Sequence, residues 1–518
     1  MTEGLFMVEV MPVPRIIQGG MGVGVSGWKL ARAVSQTGQL GVVSGTLIDT
    51  VMVRRLQDGD PGGHVRRAMA RFPFADVAAE VLRKYFRSKG RSPGEGYALL
   101  PMWTYRSGKA RKAINMLAAF VEVSLSKEGH CGQVGMNLLT KVQLPNLSAL
   151  YGAMLAGVDV ILMGAGIPRE IPGALDRLAA HERASLRFDS EGVRSPETAT
   201  LDLDPAEYWS GPPPFVDRPR FLAIVASDTL ATALARKATG RVDGFIVERH
   251  VSGGHNAPPR NKGWAELSGE LIYDARDEAD LEKLAALGLP FWLAGGMGRP
   301  GSLSLAERLG AVGIQVGTLF AYCEESGMDE TLKRCVLAAV ARGEVAVRTD
   351  SRASPTGFPF KIVEWPGDGV ASGTRERRKC DLGYLRTPFR SEDGRIQYRC
   401  PAEPVNTFAR KGGLEEDTKG RRCLCNSLLS TIGLAQLHGG ILEPPLVTSG
   451  DQLEELGVFL NGRARFTAAQ AVDYLLSSNP ARTQDSEHRD AQLEGRWPNA
   501  TRFLLSGPGN SVSGFREG

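Results

Sequence analysis

The chain of 518 residues has no uncharged apolar run of about 20 residues, the length a membrane-spanning helix requires, so no bilayer segment is expected. Its opening stretch, MTEGLFMVEVMPVPR, carries acidic residues and prolines where a secretory leader needs a basic start and an apolar core. A cytoplasmic protein is the expectation. Cysteine is scarce: seven residues, an odd number scattered through a large chain, suit a reducing compartment and not a disulfide framework. A surplus of one charge is missing too. Lys and Arg number 62 against 58 Asp and Glu, and a net charge of +4 argues against nucleic acid as a partner. Apolar residues at 42% and charged residues at 23% sit near globular averages and argue against a disordered or fibrous chain.

What is present is a repeat of short apolar runs and helical stretches. The runs are RIIQGG at 15, LGVVSG at 40, QVGMNLL at 133, VDVILMG at 158, FLAIVAS at 221, DGFIVER at 243, PFWLAGG at 290 and AVGIQVG at 311. Each is apolar on both faces, as a parallel strand between two layers must be. Segments such as GWKLARAVSQTG, NLSALYGAMLAG and RPGSLSLAERLG lie between them, with helical apolar spacing and a Gly near the C-terminal end. Eight β-α units predict an α/β chain whose residues 1–345 form a TIM-type (β/α)8 barrel. Residues 51–130, rich in Arg and helix formers, read as a helical insertion, and 183–220 as a Pro-rich loop; both are expected over one end of the barrel. Residues 346–518 read as a C-terminal extension, joined through the linker WPGDGVASGTRERRK and carrying Cys380, Cys400, Cys423 and Cys425.

Chemistry is sought at the C-terminal ends of the strands. The seventh run leads into Gly295, Gly296 and Gly298, the eighth into Gly317 and Thr318. Two such loops side by side suit a phosphate, because glycine lets backbone N–H groups and a helix N-terminus approach it. His255, in VERHVSGGHNAPPR, follows Gly254 beyond the sixth run, where an imidazole suits proton transfer; His250 is a rival. His64, His130, His181, His438 and His488 lie off the strand ends. Asn137 ends the third run with a donor and an acceptor, and Met163, Gly164, Ala165 and Gly166 after the fourth present bare backbone to a flat ligand. The four tail cysteines include one tight C-x-C pair, where zinc sites usually show two pairs, so buried free thiols are preferred to a metal site. The run RERRKC at 375 reads as a solvated linker. Arg54, Arg55, Arg66 and Arg67 read either as a solvated face or as an attractor for an acidic substrate, an acyl carrier or a pyridine nucleotide.

The loop QGGMGVGVSGW at 18 contains G-x-G-x-x-G at Gly22, Gly24 and Gly27. A dinucleotide fold would need an acidic residue at the end of the second strand, and Asp49 falls three residues beyond Thr46. The loop is better read as bare backbone at the floor of a site.

With these stretches in view, residues 12–345 resemble the nitronate monooxygenase, or 2-nitropropane dioxygenase-like, family and the related FMN-dependent enoyl-acyl-carrier-protein reductases. The likeness rests on IIQGGMGVGVSGWKLARAVSQTGQLGVVSG, GMNLL, VILMGAGIP, SGGH and LAGGMGRPGSLSLAERLGAVGIQVGTLF. It implies non-covalent FMN, its phosphate between the loops of Gly295, Gly296, Gly317 and Thr318, its ring beside Gly20, Met21 and Gly22, and Asn137 helping to hold it. His255 would be the acid-base group. The implied activity is oxidation of alkyl nitronates with O2; the alternative is NAD(P)H-dependent reduction of an enoyl thioester in fatty-acid or polyketide synthesis. A third reading is a non-catalytic barrel binding a nucleotide or phosphate. The expected partner is a small-molecule substrate, with self-association open.

Overall fold

A computed structural model describes residues 13–192, 199–260, 271–366 and 378–477. All eight apolar runs are strands: β1 (Ile16–Gln18), β2 (Gly41–Ser44), β3 (Val134–Leu139), β4 (Val160–Gly164), β5 (Arg220–Val225), β6 (Gly244–Glu248), β7 (Phe291–Ala294) and β8 (Gly313–Val316). Each pairs in parallel with its sequence neighbour, and β8 pairs with β1. The remaining gap closes where Gln18 N–H donates to the Leu40 carbonyl at 3.0 Å and Leu40 N–H to that of Ile16 at 3.1 Å. The result is a closed TIM-type barrel.

Alternation along each strand decides what lies inside. Ile17, Val42, Val160, Leu162, Leu222, Ile246 and Trp292 form one buried cluster filling the barrel. Their neighbours Ile16, Val43, Ile161, Phe221, Phe245, Phe291 and Ile314 join the larger core beneath the helices. Trp292 closes the lower end, its indole N–H donating to the Pro14 carbonyl at 2.7 Å. Each fully buried side chain of this size contributes roughly 1.5–3 kcal/mol.

The insertion differs from the expected cap. Its helices Ile48–Gln57, His64–Met69, Ala75–Tyr85 and Lys109–Ser126 join the outer ring, the last packing on helices Trp28–Ser35 and Asn146–Leu155. Four helices in sequence bring their apolar faces to one another, so the insertion covers the flank and leaves the mouth free. The stretch 183–220 likewise lies on the flank: a hairpin of Ala184–Arg187 with Thr200–Leu203 packs beside helices Asn146–Leu155 and Ile171–Ala179. The four arginines divide: Arg54 and Arg55 are drawn into the packing, while Arg66 and Arg67, with side chains 41% and 46% exposed, keep the solvated face. Arg54 is buried, donates to the Leu434 carbonyl and stacks 4.7 Å from the Tyr97 ring centre. Arg55, Arg66 and Arg67 pair with Glu122, Asp60 and Glu128.

The mouth is covered instead by the extension. After helix Glu330–Ala341, strands β9 (Ala346–Asp350) and β10 (Phe360–Glu364) form an antiparallel hairpin. Residues 375–377 of the basic run lie outside the described residues, and Arg378 is no solvated linker residue, since it donates to the carbonyls of Pro401, Thr418 and Arg421. Val447, Leu453, Leu456, Phe459, Phe466 and Val472 share the core of the barrel helices. One polar anchor fastens the extension to the insertion: Asp49, fully buried, pairs with Arg111 at 2.7 Å and accepts a hydrogen bond from the Tyr384 hydroxyl. Asp49, displaced from the position a dinucleotide fold would require, is thus an internal tie. Removing one partner of such a buried pair strands the other charge, so Asp49→Ala should cost about 3–5 kcal/mol, read as a lower urea midpoint.

Candidate active site

The alternation that fills the barrel also sets its mouth. Two residues beyond inward Leu162 stands Gly164, and two beyond Ile246 stands Glu248. Asn137 of β3 and Gln315 of β8 face the same way, and a cavity of about 520 Å³ opens above them. Ligand pockets run to roughly 300–1,000 Å³, so a cofactor-sized molecule fits. Of the residues singled out in the sequence, Gly20, Met21 and Gly22 after β1, Asn137, Gly164, and Gly254 with His255 after β6 border this cavity, while Met163 faces outward into the core beneath the helices. Gly295 and Gly296 after β7 and Gly317 and Thr318 after β8 complete it.

The first loop is held by Ser26, whose hydroxyl accepts from Met21 N–H at 2.8 Å and donates to the Gly19 carbonyl at 2.7 Å. A Cβ on Gly20 would lie 2.2 Å from that of Asn137, so only glycine lets this backbone settle on the β3 side chain. Gly295 and Gly296 have φ of +88° and +76°, the left-handed region that favours glycine. The helices after the last two loops, Ser302–Arg308 and Thr318–Ala321, are short, so backbone N–H groups of the loops carry more of any anion contact than helix ends do.

Sequence reasoning missed the extension's share. Gly254 N–H donates to Thr448 Oγ1 at 2.8 Å, Lys361 N–H to the Gly254 carbonyl at 2.9 Å, and Gly450 N–H to Thr318 Oγ1 at 2.9 Å. The segment around 448–451 therefore ties the His255 loop to the last strand's loop. His255 Nε2 meets Ser354 Oγ at 2.7 Å, and its ring stands edge-on to Phe360 at 4.8 Å. Burial, helped by Lys141, pushes its pKa well below the usual 6.5, so the imidazole is neutral near pH 7. His250 stacks on Tyr273 at 4.3 Å and does not border the cavity. His181 meets Tyr151 and His438 meets Asp381, while His130 meets the Ser126 carbonyl; His488 lies outside the described residues.

Two further ionisable groups were hidden as charges closing apolar runs: Lys141, two residues past β3, and Glu248 at the end of β6. Burial pushes the Glu248 carboxyl up to about 7 and the Lys141 amine down to about 7. Lys141 Nζ, Gln315 Oε1, Ser252 Oγ and Asn256 Oδ1 are buried along the cavity without hydrogen-bond partners among the described residues. Polar atoms of this kind fit a ligand that supplies the missing bonds.

The tail cysteines converge on one small pocket, all four as free thiols, and burial raises each pKa. Among the described residues no group of three or more His, Cys, Asp or Glu is arranged to hold a metal ion. Nor is any helix of the described residues long and apolar enough to cross a membrane.

Residues 212–356, which span β5 to β8 and the hairpin's first strand, match the model of the nitronate monooxygenase family. The matched segment holds His255 with both glycine loops near 295 and 317. The nitroalkane oxidase of Streptomyces ansochromogenes is similar at 15% identity and a TM-score of 0.44, over 96% of this chain and 99% of its own. FabK from Thermotoga maritima shows 16% identity and a TM-score of 0.42, over 93% of this chain and 95% of its own. The enoyl reductase domain of MlnA from Bacillus amyloliquefaciens shows 12% identity and 0.39, over 95% and 97%. No curated protein matches the chain.

The shifted groups at the mouth have opposite effects on stability. Between pH 4.5 and about 7 the folded state keeps a Glu248 proton that the unfolded state has released, so this contribution falls as pH rises. Between about 7 and 10.5 the unfolded state keeps a Lys141 proton that the folded state has lost, so that contribution rises with pH. In urea titrations of the ligand-free protein, Glu248→Gln should flatten the acid-side slope and Lys141→Met the alkaline one.

Proposed function

We propose that the chain is an FMN-dependent oxidoreductase that oxidises an alkyl nitronate with O2. One observation carries the reading: the bare backbone of Gly20 to Gly22, Asn137, His255 and the two glycine loops meet at one barrel mouth, half of it in the segment that matches the nitronate monooxygenase family. The residues fit FMN. The Gly20–Gly22 backbone and Asn137 suit the ring, whose edge offers donors and acceptors to the Asn amide. The loops of Gly295, Gly296, Gly317 and Thr318 suit the phosphate, because left-handed glycines leave room for close approach. Bound there, FMN supplies the acceptor for the substrate's electrons and the route from them to oxygen.

The chain's own groups do the rest. With a neutral nitroalkane, His255 is able to take the proton from the carbon beside the nitro group and so yield the nitronate that is oxidised, and its bond to Ser354 fixes the ring. The extension covers the mouth and keeps bulk water from the reacting carbon. A small-molecule substrate and a cytoplasmic setting go with this reading.

A second reading, NAD(P)H-dependent reduction of an enoyl thioester, has one observation in its favour. Phe358, Leu385, Leu424, Leu428 and Leu446 of the extension give the cavity an apolar wall suited to an acyl chain.

The visible spectrum of the purified protein should show a flavin band, if necessary after addition of FMN; its absence would defeat both readings. Mixed anaerobically, reduction by an alkyl nitronate supports the monooxygenase, and bleaching by NAD(P)H alone supports the reductase. Independently, with a neutral nitroalkane as substrate, His255→Ala should lower kcat/KM by roughly 10²- to 10⁴-fold with flavin still bound. A loss below tenfold would remove the imidazole from the acid-base role.

A further inference from the structure

Lys141 stands two residues beyond β3, the strand that carries Asn137, and its side chain borders the cavity. Its Nζ is buried, and among the described residues it has no hydrogen-bond partner and no carboxylate within ion-pair distance. Nζ lies over the face of Phe358 from the extension, 3.9 Å from the ring centre. A π face steadies an ammonium but leaves its N–H donors unused. An amine held this way is costly, since burial without hydrogen bonds has no compensation within the protein. The acids on the same cavity, Glu248 and Glu455, do not meet it, and Glu455 pairs instead with Arg299 at 3.0 Å.

We propose that Lys141 binds the negatively charged oxygen of the substrate, and that the site takes a small organic oxyanion with an apolar chain. The proposal rests on the oxidoreductase reading for the identity of that substrate. In a nitronate the charge lies on the two oxygens of the nitro group; in an enoyl thioester it develops on the carbonyl oxygen. An arriving oxyanion completes the ammonium's hydrogen bonds and favours its charged form, to which the free amine is already close near pH 7. Where the ligand arrives as a neutral nitroalkane, His255, neutral and bonded to Ser354, is left for its proton while Lys141 holds the charge that develops on the nitro oxygens. The apolar wall of Phe358, Leu385 and Leu424 receives the chain of the same ligand.

The test is calorimetric titration of the purified full-length chain with butyrate and with its uncharged counterpart, butyramide. The wild type should prefer butyrate by roughly tenfold or more, as expected for a charge-assisted hydrogen bond. Lys141→Met and Lys141→Gln should lose that preference, and Lys141→Arg should retain part of it. With nitronate as substrate, Lys141→Met should raise KM more than it lowers kcat. A wild type that binds both probes equally, or a Lys141→Met protein that keeps the preference, overturns the proposal. The flavin band of the same samples reports separately on the cofactor. A butyrate preference that vanishes in Lys141→Met stands even where no flavin binds.

Discussion

A closed barrel allows each inward residue only two fates: to fill the interior or to border a mouth. Closure between Gln18 and Leu40 makes that choice binding, because it leaves no free edge along which a strand could slip. Ile17, Val42, Leu162 and Ile246 are then interior, and Asn137, Gly164 and Glu248 are at the mouth by the same period of two. A slip of one residue in β6 would turn Glu248 toward the helices and Val247 into the barrel. The candidate site is thus a consequence of register before it is one of chemistry.

The extension makes the mouth into a chamber. Polar bonds tie it to the loops of the mouth: Thr448 with Gly254, Gly450 with Thr318, and Ser354 with the His255 ring. These bonds fix loops that glycine alone would leave free, so the flexibility that permits close ligand approach is offset by ties from another part of the chain. The apolar residues between those ties exclude water, and a low local dielectric is what shifts Glu248, His255 and Lys141 together. Three groups near their neutral forms at pH 7 make a chamber able to move a proton without carrying a fixed charge.

Much of the barrel was legible because its signals are local. A run that is apolar on both faces and ends in glycine needs no distant partner to be recognised as a buried strand, and all eight such runs are strands. The glycine loops at 20, 295 and 317 were legible for the same reason. The insertion was recognised as helical but misplaced, since nothing in 51–130 states which neighbours its apolar faces will find. Arg54 was misread on the same ground: a charged residue carries no mark of the partner that allows its burial, here the Leu434 carbonyl.

By itself, then, the amino-acid sequence determined the eight β-α units, the glycines that must lie at the strand ends, and the position of His255 on one of those loops. Local sterics and a period of two are sufficient for that. Tertiary structure alone decided that Lys141 would lack a partner among the described residues, that Glu248 would face inward at the same mouth, and that residues 448–451 would reach the His255 loop. The bond between Gly254 and Thr448 spans 194 residues, and that between His255 and Ser354 spans 99. Contacts of that range leave no periodic trace, because they depend on where the folded barrel presents its loops and not on what adjoins them in the chain.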